Sequence, residues 1–263
     1  MDLVVSTSRG RGIVSDQDHV MGSILPGADI PELTAEAIRL IESRATEDRD
    51  WPLLVYMIWG LPDSVDRVVD FYNGVRYEEV LCTRSPLVAA SSLISTIRAS
   101  MDSIIFKTGA IPIYSTIAPM SLHTWNHVRL DQGKTSHLLH HKEYEEMQEL
   151  HTQTIIYVNS AIVEENRRRG WSTPHLASQV LQKRGMDLPY RFRHQRLADG
   201  CHPTDYVKQK WLAEMKSTIL ENRARISWLN FLEKSVFIVI TLKRPVLWFS
   251  CEEIVITIWP ISL

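Results

Sequence analysis

Short, continuously apolar runs alternate with longer amphipathic segments along most of this chain. The runs at residues 3–6, 52–61 and 111–119 have the length of strands, and Gly or Pro lies at the end of the last two. Uninterrupted apolar runs of this length are typical of strands that are buried on both faces of a parallel sheet. The pattern predicts three neighbouring central strands, Leu3–Ser6, Leu53–Trp59 and Pro112–Ile117.

Amphipathic segments with helical spacing separate the apolar runs. Residues 31–43 place their apolar side chains on one stripe, after a Pro-Gly turn. Residues 142–170 are acidic early and basic late, as the helix dipole favours, and Gly170 ends the segment. Helices are therefore predicted at residues 31–43, 85–106, 142–170 and 204–225.

The order of these elements predicts an α/β fold, a three-layer doubly wound sandwich in which helices cover both faces of a mainly parallel sheet. Residues 120–141 are rich in His and irregular, and we expect a surface loop there. Asp63 precedes the stretch SVDRVVDFY, for which it can serve as an N-cap.

Residues 226–263 differ from the rest of the chain because they are dense in Trp, Phe, Ile and Val. SVFIVITL (235–242) and EEIVITIW (252–259) have strand length and many β-branched residues, which predicts a hairpin. Charged residues and Pro245 interrupt the stretch, so no membrane span is indicated. We therefore expect one domain at residues 1–225 and a hydrophobic C-terminal extension at residues 226–263 with no assigned role.

Composition indicates an ordinary globular protein and excludes few functional classes. Apolar residues make up 44% of the 263 and charged residues 23%, as in ordinary globular proteins. A formal net charge of -2 gives no signal for nucleic acid as a partner. The widely spaced Cys82, Cys201 and Cys251 form no CxxC pair, which argues against a zinc module or a disulfide framework. With no visible signal peptide, a cytoplasmic protein is expected.

Candidate chemistry is concentrated where predicted strands end, which is where open parallel sheets bind ligands. The first strand runs into STSRGRG, which contains Ser8, and the second into WGLPDS. Near the end of the strand–helix succession, DGCHPTD places Asp199 three residues before His202. A serine hydroxyl is a good nucleophile only when a histidine removes its proton, and a carboxylate holds that histidine in the right tautomer.

These segments together resemble the SGNH (GDSL-type) serine hydrolase family over about residues 3–224. The resemblance places Ser8 at the nucleophile position. Ser6 and Thr7 stand where the family usually has Gly and Asp. Gly27, in LPGADIPEL, resembles the second-block glycine whose amide lines the oxyanion hole.

The later family blocks are matched to different degrees. Gly60 and Asp63 in GLPD resemble the third block, which is assigned to the oxyanion and substrate side, but Pro62 replaces its Asn. Asp199 and His202 match the last block fully. Because Pro62 cannot supply the Asn side-chain donor, a loss of roughly a hundred- to a thousand-fold in rate is expected.

The resemblance implies a serine esterase that cleaves a small-molecule ester through an acyl-enzyme. Ser8 would be the nucleophile, His202 the general base and then acid, and Asp199 its orienting partner. The amides of Ser8 and Gly27 would supply two oxyanion donors. The implied chemistry uses no metal and no cofactor, and no protein partner is indicated.

Other interpretations stay open. The departures at Thr7 and Pro62 agree with a catalytically inactive binding or scaffold domain on the same fold, such as a module of a larger retroelement-type polyprotein. SRGRG could form a phosphate nest, but it lacks the Gly-Lys-Ser/Thr ending of a P-loop. His123 and His127 have i, i+4 spacing without an HExxH motif, so a solvated loop is favoured over a zinc site.

Overall fold

A computed structural model describes residues 2–11, 20–43, 52–60, 62–184 and 188–242. Within these residues the main sheet has four parallel strands, β1 Asp2–Ser6, β2 Val20–Ile24, β3 Leu54–Ile58 and β6 Ile111–Tyr114. They lie in the order β2-β1-β3-β6, with Leu3 beside Val55 and Val55 beside Pro112. The three predicted central strands are therefore confirmed as neighbours.

The helices of the described residues are α1 Ile30–Glu42, α2 Pro86–Thr108, α3 Leu122–Asp131, α4 Tyr144–Arg168 and α5 Asp205–Leu242. Their ends follow from local sequence. At the start of α1, Asp29 Oδ1 accepts a hydrogen bond from the Glu32 amide at 2.8 Å, and Glu32 Oε2 accepts from the Asp29 amide at 3.0 Å. At the end of α2, Gly109 adopts a left-handed φ of 67° that favours glycine.

Side-chain alternation along the buried strands divides their contacts between two helical layers. Leu3, Val5 and Val55 share a hydrophobic core with residues of α1, α2 and α4. The neighbouring Tyr56 points to the opposite face, where its hydroxyl accepts a hydrogen bond from Asn222 of α5 at 3.3 Å. Helices cover both faces of the sheet, so the predicted three-layer α/β architecture is confirmed.

Besides the main sheet, the described residues form two separate antiparallel hairpins: β4 Asp66–Tyr72 with β5 Val75–Leu81, and β7 Leu181–Arg184 with β8 Leu188–Phe192. Asn73 and Gly74 make the β4–β5 turn with positive φ values of 51° and 78°, which this residue pair favours. SVDRVVDFY therefore contributes a strand and is not a helix capped by Asp63. The Asp63 carboxylate instead accepts a hydrogen bond from the Ile30 amide, at 3.1 Å, at the start of α1.

Two other expectations are corrected. Residues 120–141, predicted as a loop, contain α3, whose buried positions are only Leu122 and Asn126. Asn126 Oδ1 accepts from the Val80 amide and Asn126 Nδ2 donates to the Val80 carbonyl, both at 2.9 Å. The helix is therefore held by a polar contact and lacks the apolar stripe from which a helix is predicted. SVFIVITL lies in α5, which continues to Leu242, and is not a strand. EEIVITIW lies outside the described residues.

The chain divides into two compact units, Met1–Asn222 and Arg223–Leu263. No helix among the described residues combines the length and apolar character needed to cross a membrane. The predicted boundary after residue 225 and the role of the extension stay predictions.

Candidate active site

Ser8 lies two residues after the end of β1 and begins a single 3-10 turn, Ser8–Gly10. The Thr7 amide donates to the Ile58 carbonyl at the end of β3, at 3.1 Å, and the Gly10 amide donates to the Thr7 carbonyl at 3.0 Å. A Cβ at Gly10 would lie 1.9 Å from Ser6 Oγ, so only glycine lets the turn fold back this closely. These contacts hold Ser8 at the carboxyl edge of the sheet.

Ser8, His202 and Asp199 form a continuous hydrogen-bonded relay. Ser8 Oγ lies 2.9 Å from His202 Nε2, and His202 Nδ1 lies 2.7 Å from Asp199 Oδ2. Asp199 Oδ1 also accepts from the amides of Cys201 at 2.9 Å and His202 at 2.7 Å. A serine, a histidine and a carboxylate in this order are able to activate the hydroxyl for attack on a carbonyl carbon.

The protonation of Asp199 decides how the relay works. Burial opposes its ionisation, but the hydrogen bonds from His202 and Cys201 outweigh burial and lower the pKa of Asp199 to about 2. An ionised carboxylate only accepts hydrogen bonds, so His202 Nδ1 carries the proton of that contact. In the neutral imidazole, Nε2 is then the acceptor for the Ser8 hydroxyl.

The loop that carries Asp199 and His202 is closed at both ends and docked on α3. Leu197 and Pro203 form an antiparallel bridge, and the Ala198 amide donates to the His202 carbonyl at 2.7 Å. Gly200 adopts a φ of 82°, and its carbonyl accepts from the Ser121 amide at 2.7 Å. The closed loop fixes the spacing between the carboxylate and the imidazole.

Backbone amides supply the candidate oxyanion side. Gly27 lies in the turn between β2 and α1, Gly60 follows β3, and both line the same cavity as Ser8. Within the described part of the chain, the Ser8 and Gly27 amides donate no hydrogen bond, which leaves them available to a bound oxygen. Pro62 also lines the cavity and has no N–H to offer.

The cavity has a volume of about 400 Å³ and receives side chains from elements that the sequence analysis missed. Arg67 and Glu78 come from the β4–β5 hairpin, while Trp125 and Arg129 come from α3. The Trp125 and His202 rings are 6.0 Å apart between centroids. The Asn73–Gly74 pair, flanked by β-prone residues, was the available signal for the hairpin wall.

Asp63 is not among the described residues that line this cavity. Its carboxylate accepts from the Ile30 amide and is partly buried beside the acidic first turn of α1. Burial raises the pKa of Asp63 to about 6, and the negative charges of Asp29 and Glu32 add to the effect. The structure thus gives Asp63 a supporting contact at the start of α1.

Arg9, next to Ser8, is only 2% exposed although it is a cation. Its Nη1 donates to the Ala118 carbonyl at 2.6 Å, and within the described residues its Nε and Nη2 have no hydrogen-bond partner. Burial, and after it the charge of Arg9, lower the pKa of His151 to about 3. His151 Nε2 accepts from the Met120 amide at 3.1 Å, so a neutral imidazole supports the loop after β6.

The histidines of the predicted loop do not gather into a ligand set. His123 and His127 stack with centroids 4.0 Å apart on α3. Across the described ranges, no group of three or more His, Cys, Asp or Glu side chains is arranged to hold a metal ion.

Comparison with known proteins finds similarity in structure but not in sequence. No family sequence model and no curated protein matches the chain. A GDSL-like lipase from Bacteroides thetaiotaomicron aligns with 83% of this chain and 87% of its own, at a TM-score of 0.52 and 11% identity. A candidate acylhydrolase from Bacteroides fragilis aligns with 83% of this chain and 86% of its own, at a TM-score of 0.51 and 12% identity. The chain therefore has the SGNH (GDSL-type) hydrolase fold.

Proposed function

We propose that this chain is a serine hydrolase that cleaves a small-molecule ester through an acyl-enzyme intermediate. The observation that carries the proposal is the 2.9 Å contact between Ser8 Oγ and His202 Nε2, with Asp199 on the other ring nitrogen. That two structures with this fold are a GDSL-like lipase and a candidate acylhydrolase supports the same reaction class.

The relay gives each residue a defined step. Ser8 Oγ attacks the ester carbonyl while His202 Nε2 takes its proton, and Asp199 stabilises the imidazolium that forms. The negative oxygen of the tetrahedral intermediate binds the Ser8 and Gly27 amides. His202 then protonates the leaving alcohol, and a water molecule activated by the same imidazole hydrolyses the acyl-Ser8 ester. A cavity of about 400 Å³ favours small ester substrates.

A second candidate function is ligand binding without turnover. Pro62 favours it, because it replaces the family's Asn donor and has no N–H of its own. Thr7 favours it as well, because it stands where the family usually has Asp. Both residues adjoin Ser8 or line its cavity, so they bear directly on the rate of the chemical step.

The two candidates are separated by labelling and turnover of the full chain. We expect a fluorophosphonate probe to label the wild type, and 4-nitrophenyl butyrate to be hydrolysed slowly. Ser8→Ala should abolish labelling and lower kcat by at least about a thousand-fold. The matched control is Ser160→Ala, an exposed α4 serine bonded to the Ile156 carbonyl. Folded wild type that neither reacts nor hydrolyses esters would instead support binding alone.

A further inference from the structure

The cavity that contains Ser8 carries more positive than negative side chains. Among the described residues, its charged lining side chains are Arg9, Arg67, Arg129 and Glu78, apart from the titratable His202 and Cys201. Arginine stays protonated under all conditions that a folded protein meets. The guanidinium of Arg9 is buried and donates to the Ala118 carbonyl, so the charges that this cavity of about 400 Å³ presents to a ligand are those of Arg67, Arg129 and Glu78.

Glu78 is shared between two of these arginines, and we call Arg67, Glu78 and Arg129 the arginine bracket. Arg67 of β4 donates from Nε at 2.8 Å and from Nη2 at 2.7 Å to Glu78 Oε1. Arg129 of α3 donates from Nη2 to the same oxygen. Glu78 is only 6% exposed, so its charge is fixed in place. Because one carboxylate neutralises one guanidinium, the bracket keeps a net positive charge.

The arginine side chains of the bracket differ in how far they are exposed to a ligand. The Arg67 side chain is 65% exposed and that of Arg129 is 18% exposed. Within the described residues, Arg129 Nε is buried without a hydrogen-bond partner, as are Nε and Nη2 of Arg9. These buried nitrogens are not accessible to a ligand, so an anion would bind the exposed guanidinium of Arg67 and the accessible part of Arg129.

The bracket also lies close to the catalytic relay. The Arg129 guanidinium lies 5.9 Å from the centroid of the Trp125 ring, and that ring lies 6.0 Å from His202. Asn126, which lies between Trp125 and Arg129 in the sequence of α3, binds the helix to β5 through the Val80 backbone. The arginine bracket therefore lies on the cavity wall that adjoins Ser8, where the ester carbonyl would bind.

We propose that the ester substrate carries an anionic group, a carboxylate or a phosphate, that binds the arginine bracket while its carbonyl lies at Ser8. Guanidinium groups recognise both anions through paired, charge-assisted hydrogen bonds. This inference rests on the proposed ester hydrolysis and adds the charge of the substrate to it. The competing explanation is that the bracket only joins the β4–β5 hairpin to α3.

The first test compares anionic esters with neutral ones. Mono-4-nitrophenyl adipate is paired with its methyl ester, and 3-(butyryloxy)benzoate with its methyl ester, so that the charge lies on either side of the scissile bond. In at least one pair, kcat/KM of the wild type should favour the anion about ten-fold. That preference should fall about three- to ten-fold in Arg67→Gln and rise in Glu78→Gln. Arg67→Lys keeps the charge but not the paired donors, so it should retain only part of the preference.

The control for this test is Arg39→Gln, because Arg39 is 64% exposed and also donates two hydrogen bonds to one glutamate, Glu36. It should leave the preference unchanged. If neither ester pair shows a preference in the wild type, or if Arg67→Gln leaves it unchanged, the inference is wrong although ester hydrolysis stands.

The second test does not need turnover. Phenyl phosphate, benzoate and benzyl alcohol are titrated into Ser8→Ala protein by calorimetry, with and without Arg67→Gln. We expect one of the two anions to bind more tightly than the alcohol, and Arg67→Gln to weaken that anion about three- to ten-fold. Which anion binds distinguishes carboxylate from phosphate. If neither binds better than benzyl alcohol, the inference fails, whatever the outcome for hydrolysis.

Discussion

Asp199 and Asp63 are both partly buried carboxylic acids, and their surroundings shift their pKa values in opposite directions. In the loop before α5, Asp199 accepts hydrogen bonds from its neighbours that outweigh burial, and its pKa falls to about 2. In the loop after β3, burial dominates, one hydrogen bond from Ile30 does not compensate, and the pKa of Asp63 rises to about 6. Two carboxylates with separated pKa values are suited to different tasks.

The opposite pKa shifts show that the Asp199 loop stabilises an ionised carboxylate and that the Asp63 loop does not. The Asp199 loop stabilises a permanent negative charge, which a histidine general base requires. The loop with Gly60, Pro62 and Asp63 retains the shape of a lining segment, but Pro62 offers no donor and Asp63 is turned to α1. We therefore expect substitutions in the first loop to remove activity, and substitutions in the second to change rate upward or alter stability.

The largest expected effect is on turnover by Asp199→Asn. An amide at this position can donate to Nδ1 and so favours the wrong tautomer of His202, and kcat for 4-nitrophenyl butyrate should fall by roughly a thousand- to ten-thousand-fold. Asp205→Asn, an exposed change nearby at the start of α5, should leave kcat within about two-fold. An Asp199→Asn enzyme that keeps a tenth of its activity would show that the relay does not carry the reaction.

The next effect is a gain. Pro62→Asn restores a side-chain donor to the oxyanion side, and kcat should rise about ten- to a hundred-fold if that donor reaches the intermediate. Pro86→Asn, at the first residue of α2, is the matched control and should leave kcat unchanged. If a well-folded Pro62→Asn protein shows no increase in kcat, the missing donor does not by itself explain why the Pro62 loop differs from the Asp199 loop.

The two carboxylates should also give stability changes of opposite sign. For Asp63, the folded pKa near 6 exceeds the unfolded value of about 3.9, so the folded state binds more protons between these values and loses stability as the pH rises through them. Asp63→Asn removes this loss and keeps an acceptor for Ile30. It should raise the free energy of unfolding by about 2 kcal/mol at pH 7.5 and by little near pH 4.

Chemical denaturation at several pH values measures this difference. Asp131→Asn, an exposed acidic position at the end of α3, should change the free energy of unfolding by less than about 0.5 kcal/mol at every pH. If Asp63→Asn is destabilising at pH 7.5, the carboxylate contributes more through Ile30 than it loses by burial.

Asp199→Asn should show the reverse pH dependence in the same experiment. Its folded pKa of about 2 lies below the unfolded value, so its contribution is present above about pH 4 and is lost as the pH falls through 2. The variant should be destabilised by about 2 kcal/mol at pH 7, and the difference should shrink between pH 4 and the lowest pH at which the protein stays folded. A constant difference would point to packing as its cause.

The smallest effect is expected at the C-terminus. A chain that ends at Arg225 retains every strand of the main sheet and all members of the relay, so it should unfold cooperatively within about 1 kcal/mol of the full chain. Loss of a cooperative melting transition would contradict this, and would move the domain boundary into the extension.

The centre of the fold could be predicted because its strands are buried on both sides. Leu3–Ser6, Leu53–Trp59 and Pro112–Ile117 carry continuous apolar runs, which a parallel sheet between helices requires. The triad residues could be proposed because Ser8, Asp199 and His202 follow strand ends or a distinctive turn. SVFIVITL was misassigned, since β-branched residues favour strands only weakly and α5 simply continues through them.

The walls of the site could not be predicted by the same means. Arg67, Glu78, Trp125 and Arg129 converge only because the β4–β5 hairpin meets α3, and no sequence spacing encodes that contact. The hairpin has a sequence signal in Asn73–Gly74, but an N-cap at Asp63 competes with it as an explanation of the preceding residues.

Gly200 has a consequence for how this protein could change its substrate. A Cβ there would lie 2.7 Å from the Trp125 amide nitrogen and 2.8 Å from the Ser121 carbonyl, so the histidine loop is seated directly on the first turn of α3. Because these contacts leave no free space, we expect a displacement of the first turn of α3 to displace His202 as well. In the proposed hydrolase, a shift of α3 that admits a bulkier ester would therefore also disturb the general base. The Arg67 side chain is exposed, so under the proposed function we expect substitutions in the hairpin to change selectivity with less loss of activity than substitutions in the helix.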